Sequence, residues 1–270
     1  MGVLNVTPDS FSDGGLYDTF ERAVARGLEL IAEGADVVDV GGESSRPGAE
    51  PVPAGVELAR VVPVIEALAG SDAVARSGTR LSVDTVKREV AEAALAAGAT
   101  LVNDISASLW EVAAGGGAGW VAMHMQGRPR TMQQEPRYAD VVAEVRDFVL
   151  ERADRALAAG VAEVWVDPGI GFGKTMAHNL SLLRHLSELV GAAAGAGCAG
   201  VLVGTSRKRF LGLLAAGIGP GGTGQPAPVA ERVEGSLATA AAAMVAGAGM
   251  VRVHDVAATV QVARLYGPAA

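Results

Sequence analysis

The chain has 270 residues, of which 50% are hydrophobic and 19% are charged, so it can bury a large core and is too apolar for intrinsic disorder. Its net charge of −8 argues against a general nucleic-acid or anionic-membrane surface. The single cysteine, Cys198, excludes an intramolecular disulfide framework and a multi-cysteine metal site. The N-terminus lacks the features of a signal peptide, and no apolar run reaches the roughly 18 to 20 residues of a membrane helix, which predicts a cytoplasmic protein.

Short apolar runs recur along the chain and are rich in Val, Ile and Leu, as is typical of buried parallel strands. We predict strands at residues 2–6, 36–40, 81–85, 101–106, 120–125, 164–167, 201–205 and 251–255. The segments between them have helical periodicity, and the first places Val24, Leu28 and Ile31 on one face. We predict helices at residues 20–33, 56–68, 87–96, 141–159, 180–190, 229–245 and 257–265. Four glycines just before strands are predicted to end helices: Gly34, Gly98, Gly160 and Gly249.

This alternation predicts an α/β fold, a TIM (β/α)8 barrel that forms a single domain over residues 1–270. An open, doubly wound sheet is the alternative, because periodicity does not distinguish a closed sheet from an open one. The Gly/Pro-rich segment 217–228 interrupts one strand–helix unit, and we predict that it is a surface insertion.

Polar residues follow the apolar part of most predicted strands, where a barrel places its active site. They are Asp39, Ser82, Asp84, Asn103, Asp104, Asp167, Arg252, His254 and Asp255. Because side chains alternate along a strand, Arg252 and His254 point the same way, and so do Ser82 and Asp84. Together they predict a polar cavity, although Asp39 and Asp104 could equally well cap a helix or bind loop amides.

A basic cluster, Ser206–Arg209, follows the seventh predicted strand. Cations at the start of a helix oppose its dipole, so this cluster indicates an anion site, shared with Arg252 and His254 of the eighth strand.

Two glycine-rich segments are misleading. Residues 217–222 match G-x-G-x-x-G but follow no strand, and residues 168–175 resemble a Walker A loop but begin with Pro168. The four histidines lack the spacing of a zinc site.

Eight segments, in this order, resemble the motifs of dihydropteroate synthases and span nearly the whole chain. They are NVTPDSFSDGG at 5–15, DVGGESSRPG at 39–48, SVDT at 82–85, NDIS at 103–106, MHMQG at 123–127, DPGIGFGK at 167–174, SRK at 206–208 and RVHD at 252–255. The resemblance implies a homodimeric TIM barrel that joins a dihydropterin-methyl diphosphate to 4-aminobenzoate, needs Mg²⁺, releases pyrophosphate, makes a folate precursor and is the target of sulfonamides.

The resemblance also implies a pterin site. A carboxylate can accept both the amino group and the ring N–H of a pterin edge, which suits Asp167. Asp84 and Asn103 would complete that edge, and Lys208 would donate to the pterin carbonyl and ring nitrogen. Ser206 belongs to the same substrate-binding motif.

By the same resemblance, Asn5, Arg252 and His254 would hold the diphosphate, with Asn5 also a magnesium ligand. Mg²⁺, Arg252 and His254 would neutralise the charge of pyrophosphate and make it a good leaving group. The dihydropterin would stabilise a methylene cation, and the aromatic amine would attack it. Asp13 would stabilise that cation or order the loops. The implied catalytic residues are therefore Asp13, Lys208, Arg252 and His254.

The aminobenzoate would lie under two loops. The first carries Phe11 and Asp13, the second carries Ser45, Arg46 and Pro47, and Phe172 would line the pocket.

Two other functions remain open. A methyltetrahydrofolate-dependent methyltransferase uses a similar pterin-binding barrel, and a paralogue could bind pterin without catalysis.

Overall fold

The computed structural model describes residues 1–7, 16–46 and 48–266, and its strands form a closed parallel barrel. In chain order the strands are β1 Gly2–Asn5, β2 Val37–Gly41, β3 Arg80–Asp84, β4 Leu101–Asp104, β5 Gly119–Met123, β6 Val164–Asp167, β7 Gly200–Val203 and β8 Met250–Val251. Each pairs with the next, and the Val3 N–H donates to the Val253 carbonyl at 2.9 Å while the Val253 N–H donates to the Met1 carbonyl at 3.0 Å. These bonds join β8 to β1, so the open-sheet alternative is wrong.

Helices surround the barrel. They are α1 Leu16–Ala32, α2 Ala54–Ala69, α3 Asp72–Ser77, α4 Arg88–Ala96, α5 Trp110–Gly115, α6 Val141–Ala158, α7 Met176–Arg184, α8 Leu186–Gly195, α9 Arg209–Ala215, α10 Val233–Val245 and α11 Val256–Tyr266. The single helix predicted at 180–190 is wrong, because His185 has φ −104° and ψ 18° and separates α7 from α8. No helix of the described residues is long and apolar enough to cross a membrane.

The lumen of the barrel explains where the polar residues lie. Its lower layer is apolar and consists of Met1, Val37, Leu101, Val121 and Leu202, with Trp165 and Met250 packed against it. Side chains on one face of a strand recur every second residue. Two positions further along five of these strands, the same face therefore carries Asp39, Asn103, Met123, Asp167 and Arg252. This second layer, which is polar except for Met123, follows directly on the apolar one.

Three of the predicted helix-ending glycines are confirmed. Gly34, Gly98 and Gly160 have φ of 97°, 112° and 91°, in the left-handed region that follows many helices. Gly249 is wrong. Gly247, with φ 94°, follows α10, and Gly249 instead packs against Trp165, whose ring would lie 3.0 Å from an added Cβ. Residues 217–228 form an irregular, largely exposed connection between α9 and a 3-10 helix at Val229–Arg232.

Candidate active site

A cleft opens at the carboxyl ends of the strands and collects most of the predicted site residues. Its lining comprises Ser45, Asp84, Asn103, Ile105, Met123, Asp167, Phe172, Gly204, Ser206, Lys208, Arg252 and His254. The sequence analysis did not predict Ile105, Met123 or Gly204. Met123 and Gly204 could have been predicted, because each stands two residues after an apolar lumen residue, Val121 for Met123 and Leu202 for Gly204.

Arg252 forms the centre of the cleft floor. Its Nε donates to Asp39 Oδ2 at 2.6 Å, and its Nη2 donates to Asp84 Oδ2 at 2.7 Å. Asp39 Oδ2 also accepts the Asn103 Nδ2–H at 2.9 Å. Asp39 is completely buried, so its role is to orient Arg252 and Asn103 rather than to meet a ligand.

The carboxylates of the floor share one guanidinium. Burial raises the pKa of Asp84 to about 7; Arg252 opposes this rise, whereas Asp39, Glu57 and Asp104 add to it. Burial disfavours the charge of Arg252, but Asp39 and Asp84 outweigh that effect and raise its pKa. Arg252 therefore stays cationic, while Asp84 can exchange a proton near neutral pH.

Asp104 has a different role, although it directly follows Asn103. Its carboxylate accepts the backbone N–H of Ser106 at 2.8 Å, of Ser108 at 2.6 Å and of Leu109 at 2.7 Å. The Trp120 Nε1–H is 3.3 Å away. Of the two carboxylates left open by the sequence, Asp104 thus binds loop amides, and Asp39 supports the cleft.

Asp167 and Lys208 lie on the opposite side of the floor. Asp167 Oδ1 accepts the Gly169 N–H at 2.7 Å; burial raises the pKa of this carboxyl, and Lys208 opposes the rise. Lys208 donates to the Ile170 carbonyl, and its ammonium lies 4.6 Å from the centre of the Phe172 ring. Burial lowers the pKa of Lys208 to about 8. A cationic donor and a carboxylate acceptor therefore lie side by side.

His254 and Ser206 meet at the rim. The Ser206 hydroxyl is 3.0 Å from His254 Nδ1 and accepts the His254 backbone N–H at 3.1 Å. Burial lowers the pKa of His254 to about 4, and Arg252 and Arg207 lower it further. The imidazole is therefore neutral at pH 7 in the ligand-free protein.

The predicted anion cluster at Ser206–Arg209 is partly wrong. Arg207 has φ 59° and forms two hydrogen bonds to Asp255, one of them 3.0 Å between Nε and Oδ2. Arg209 is exposed and is not among the residues that line the cleft. Of the three cations only Lys208 lines the cleft, since Arg207 is paired with Asp255 and Arg209 is exposed.

The second loop contributes Ser45 to the lining, and the exposed Arg46 is near enough to lower the pKa of His254. Lys87 forms ion pairs with Glu43, at the base of this loop, and with Glu57, which is completely buried. Pro47, Phe11 and Asp13 lie outside the described residues.

Asn5 ends β1 beside the cleft. An added Cβ on Gly41 would lie 3.4 Å from Asp84 Cβ and 3.8 Å from Asn5 Oδ1, so Asn5 and Asp84 flank the same glycine. Within residues 1–7, 16–46 and 48–266, the Asn5 side chain has no hydrogen-bond partner, and no cluster of three or more His, Cys, Asp or Glu could hold a metal. One free amide oxygen fits Mg²⁺, which takes few protein ligands and completes its shell with phosphate oxygens and water.

Comparisons with known proteins agree with this geometry. The sequence profile of the family described as "Pterin binding enzyme" matches residues 1–254. Dihydropteroate synthase of Escherichia coli (strain K12) is 44% identical, over 98% of this chain and 89% of its own. The Xanthomonas albilineans dihydropteroate synthase solved with 4-aminobenzoic acid is 46% identical, with a TM-score of 0.84 over 98% of this chain and 90% of its own. The Thermus thermophilus enzyme in complex with 6HMPPP is 40% identical, with a TM-score of 0.77 over 98% of this chain and 91% of its own. The chain therefore belongs to the dihydropteroate synthase family of pterin-binding enzymes.

Proposed function

We propose that this cleft joins a dihydropterin-methyl diphosphate to 4-aminobenzoate and releases pyrophosphate, as a transferase of folate biosynthesis. The observation that carries the proposal is the meeting of Asp84, Asn103, Asp167, Lys208 and Arg252 in one cleft at the carboxyl ends of the strands. These groups match a flat ligand with donors along one edge, acceptors on another and an anionic substituent.

Asp167 accepts the amino group and ring N–H of the pterin. Asn103 uses its Nδ2 on Asp39, which leaves its Oδ1 as an acceptor for another pterin N–H. Asp84, with its pKa near 7, supplies either an acceptor or an O–H donor. Lys208 donates to the pterin carbonyl and ring nitrogen through the ammonium that contacts the Ile170 carbonyl.

Arg252 and His254 bind the diphosphate. In the described part of the chain, Arg252 Nη1 and His254 Nε2 have no hydrogen-bond partner, so both are free to donate to phosphate oxygens. Ser206 holds the ring of His254 in place for this. Asn5 would hold Mg²⁺, which supplies further positive charge to the diphosphate when bound.

The reaction begins with cleavage of the C–O bond to the diphosphate, whose oxygen keeps the electron pair. The electron-rich dihydropterin stabilises the methylene cation that remains, and Arg252 and His254 stabilise the departing charge. The aromatic amine attacks the cation, forms the C–N bond and loses its proton to solvent. We propose that Asp13 assists this step and that Ser45, Arg46, Pro47 and Phe172 surround the aminobenzoate.

A turnover assay with Mg²⁺ and both substrates tests the proposal, and we expect pyrophosphate release with formation of dihydropteroate. Methyl transfer from methyltetrahydrofolate instead would identify a methyltransferase, and pterin binding without turnover would identify a non-catalytic paralogue. A cytoplasmic location, without nucleic-acid or membrane partners, is a further proposal that rests on the sequence. A homodimeric assembly is proposed from the family resemblance.

A further inference from the structure

One buried cation has no role in the reaction as proposed. Lys174 ends the loop 168–174 that follows β6, and only 3% of it is exposed. Its Nζ lies 2.9 Å from His124 Nδ1 and 3.3 Å from the His124 carbonyl. It also donates to the carbonyls of Gly169 at 3.0 Å and Phe172 at 3.1 Å. All four partners are neutral acceptors, and no ion pair includes Lys174 within the described residues.

Burying an amine without a carboxylate is costly. Burial lowers the pKa of Lys174 to about 7, and Lys208 lowers it further, although Asp167 opposes the change. The same burial lowers the pKa of His124 to about 3, so the imidazole stays neutral and accepts through Nδ1. A methionine would fill this position without that cost, so the donors of Lys174 must matter for the loop that they contact.

The loop lies unusually close to the segment after β5. Gly169 and Gly173 have φ of 64° and 60°. An added Cβ would lie 1.8 Å from the His124 carbonyl oxygen at Gly169 and 2.2 Å from the Gln126 carbonyl oxygen at Gly173. Within this packing the carbonyls of His124, Gly169 and Phe172 face inward, and Lys174 Nζ lies within hydrogen-bond distance of all three. The glycines of 168–175 therefore allow close backbone contact, which agrees with the rejection of a Walker A loop.

The loop carries two groups of the cleft with different attachments. Asp167 is the last residue of β6, and its carbonyl accepts the His124 N–H at 3.0 Å, so the barrel itself fixes it. Phe172 lies five residues further along, and its carbonyl is held by Lys174. Lys208 holds the loop from the cleft side through the Ile170 carbonyl, and the proposed pterin contact would use donors of the same ammonium.

We propose that Lys174 is a positioning residue that keeps Phe172 in place for the aminobenzoate while Lys208 donates to the pterin. The proposal rests on the proposed function, since it assigns Phe172 to the aminobenzoate and Lys208 to the pterin. It implies that Lys174 affects the affinity for 4-aminobenzoate more than the affinity for the pterin diphosphate.

Steady-state kinetics of Lys174→Met test this split. We expect the KM for 4-aminobenzoate to rise about tenfold or more, which corresponds to the loss of one or two hydrogen bonds, while the KM for the pterin diphosphate changes less than about threefold. Lys174→Arg keeps the donors and should return the KM for 4-aminobenzoate toward the wild-type value. Val149→Ala, a completely buried residue of α6, is the control for a general loss of stability. Equal changes in both KM values, or the same pattern in Val149→Ala, would overturn the proposal.

A double-mutant cycle and an activity-independent measurement complete the design. If Lys174 acts through Phe172, Lys174→Met should add little to Phe172→Ala in the KM for 4-aminobenzoate, whereas additive effects contradict the proposal. Hydrogen exchange of residues 168–174 in the ligand-free protein should be faster in Lys174→Met and unchanged in Val149→Ala. If the wild type releases no pyrophosphate, the proposed function fails, and the exchange rates still decide whether Lys174 orders this loop. Should Lys174→Met not fold, Lys174→Gln takes its place in each comparison.

Discussion

Asp39 Oδ2 lies 2.6 Å from Arg252 Nε and 2.9 Å from Asn103 Nδ2, so one carboxylate oxygen orients two cleft residues from different strands. Asp39 itself does not line the cleft. Its contribution is to fix which groups the two residues present: the free Nη1 of Arg252 and the amide oxygen of Asn103.

Replacing Asp39 with asparagine should therefore weaken ligand binding, although Asp39 does not contact the ligand. The amide still accepts one hydrogen bond, but it loses the charge that holds Arg252. We expect affinity for a pterin and for pyrophosphate to fall about tenfold or more, since charge-assisted hydrogen bonds contribute about 1.5 to 3 kcal/mol. Calorimetric titration measures both. Asp104→Asn is the matched control, because it alters a buried carboxylate that binds loop amides, and it should lower stability more than affinity.

Asp167→Asn should lose pterin affinity while the fold is kept. The amide accepts from one N–H and presents its own donor to the other, so one buried donor is left unmatched, at a cost of about 1 to 3 kcal/mol. Titration with a pterin measures the loss, and circular dichroism checks the fold. Wild-type affinity in this variant would remove Asp167 from the pterin site.

Pyrophosphate binding should take up a proton at His254. The pKa of His254 is about 4 in the ligand-free protein, so the ring is neutral at pH 6, and a bound anion raises the pKa by favouring the charged form. Calorimetry in two buffers of different ionisation enthalpy should give different heats for the wild type. His254→Gln should reduce the difference, because Asp84 and pyrophosphate itself can also exchange protons near this pH, whereas a substitution of the exposed His185 should preserve it. Identical heats in the wild type would contradict protonation on binding.

Lys87→Met should destabilise the protein strongly. Burial disfavours the charge of Lys87, but its hydrogen bonds to Glu43 and Glu57 outweigh this and raise its pKa. Without Lys87 the completely buried Glu57 loses this ion pair, and removing one partner of a buried pair costs about 3 to 5 kcal/mol. Urea unfolding measures the change. Adding Glu57→Gln to Lys87→Met should recover part of the loss, and a double variant as unstable as the single one would exclude an unpaired charge as the cause.

The sequence predicted the barrel and most of the cleft because both follow from the two-residue repeat of strands. Asn103 and Arg252 stand two positions after the apolar lumen residues Leu101 and Met250, and such spacing is visible without coordinates. The hydrogen-bond partners of these side chains could not be predicted in the same way. Nothing in the sequence distinguishes Asp39, which supports Arg252, from Asp104, which binds loop amides.

Backbone geometry accounts for the remaining differences. Arg207 and Lys208 are adjacent cations, yet Arg207, with a left-handed φ of 59°, pairs with Asp255, whereas Lys208 lines the cleft. Lys174 follows a glycine-rich run that suggests a phosphate site. The structure shows instead that this lysine faces inward and contacts His124 and the carbonyls of its own loop. Both features depend on how the chain turns, which composition does not determine.

The closure of the barrel has a consequence for the order of folding. Arg252 stands beside Val253, whose backbone joins Met1 and Val3 near the other end of the sequence. During synthesis Asp39 and Asp84 are made long before the guanidinium that pairs with both. An incomplete barrel therefore leaves Asp39 and Asp84 without their shared cation, and either the repulsion between the two carboxylates or the protonation of Asp84 that relieves it disfavours stable partial folding of the first seven units. Arrival of the last strand removes the repulsion and closes the longest loop in the chain, so that barrel and cleft are completed in one cooperative step.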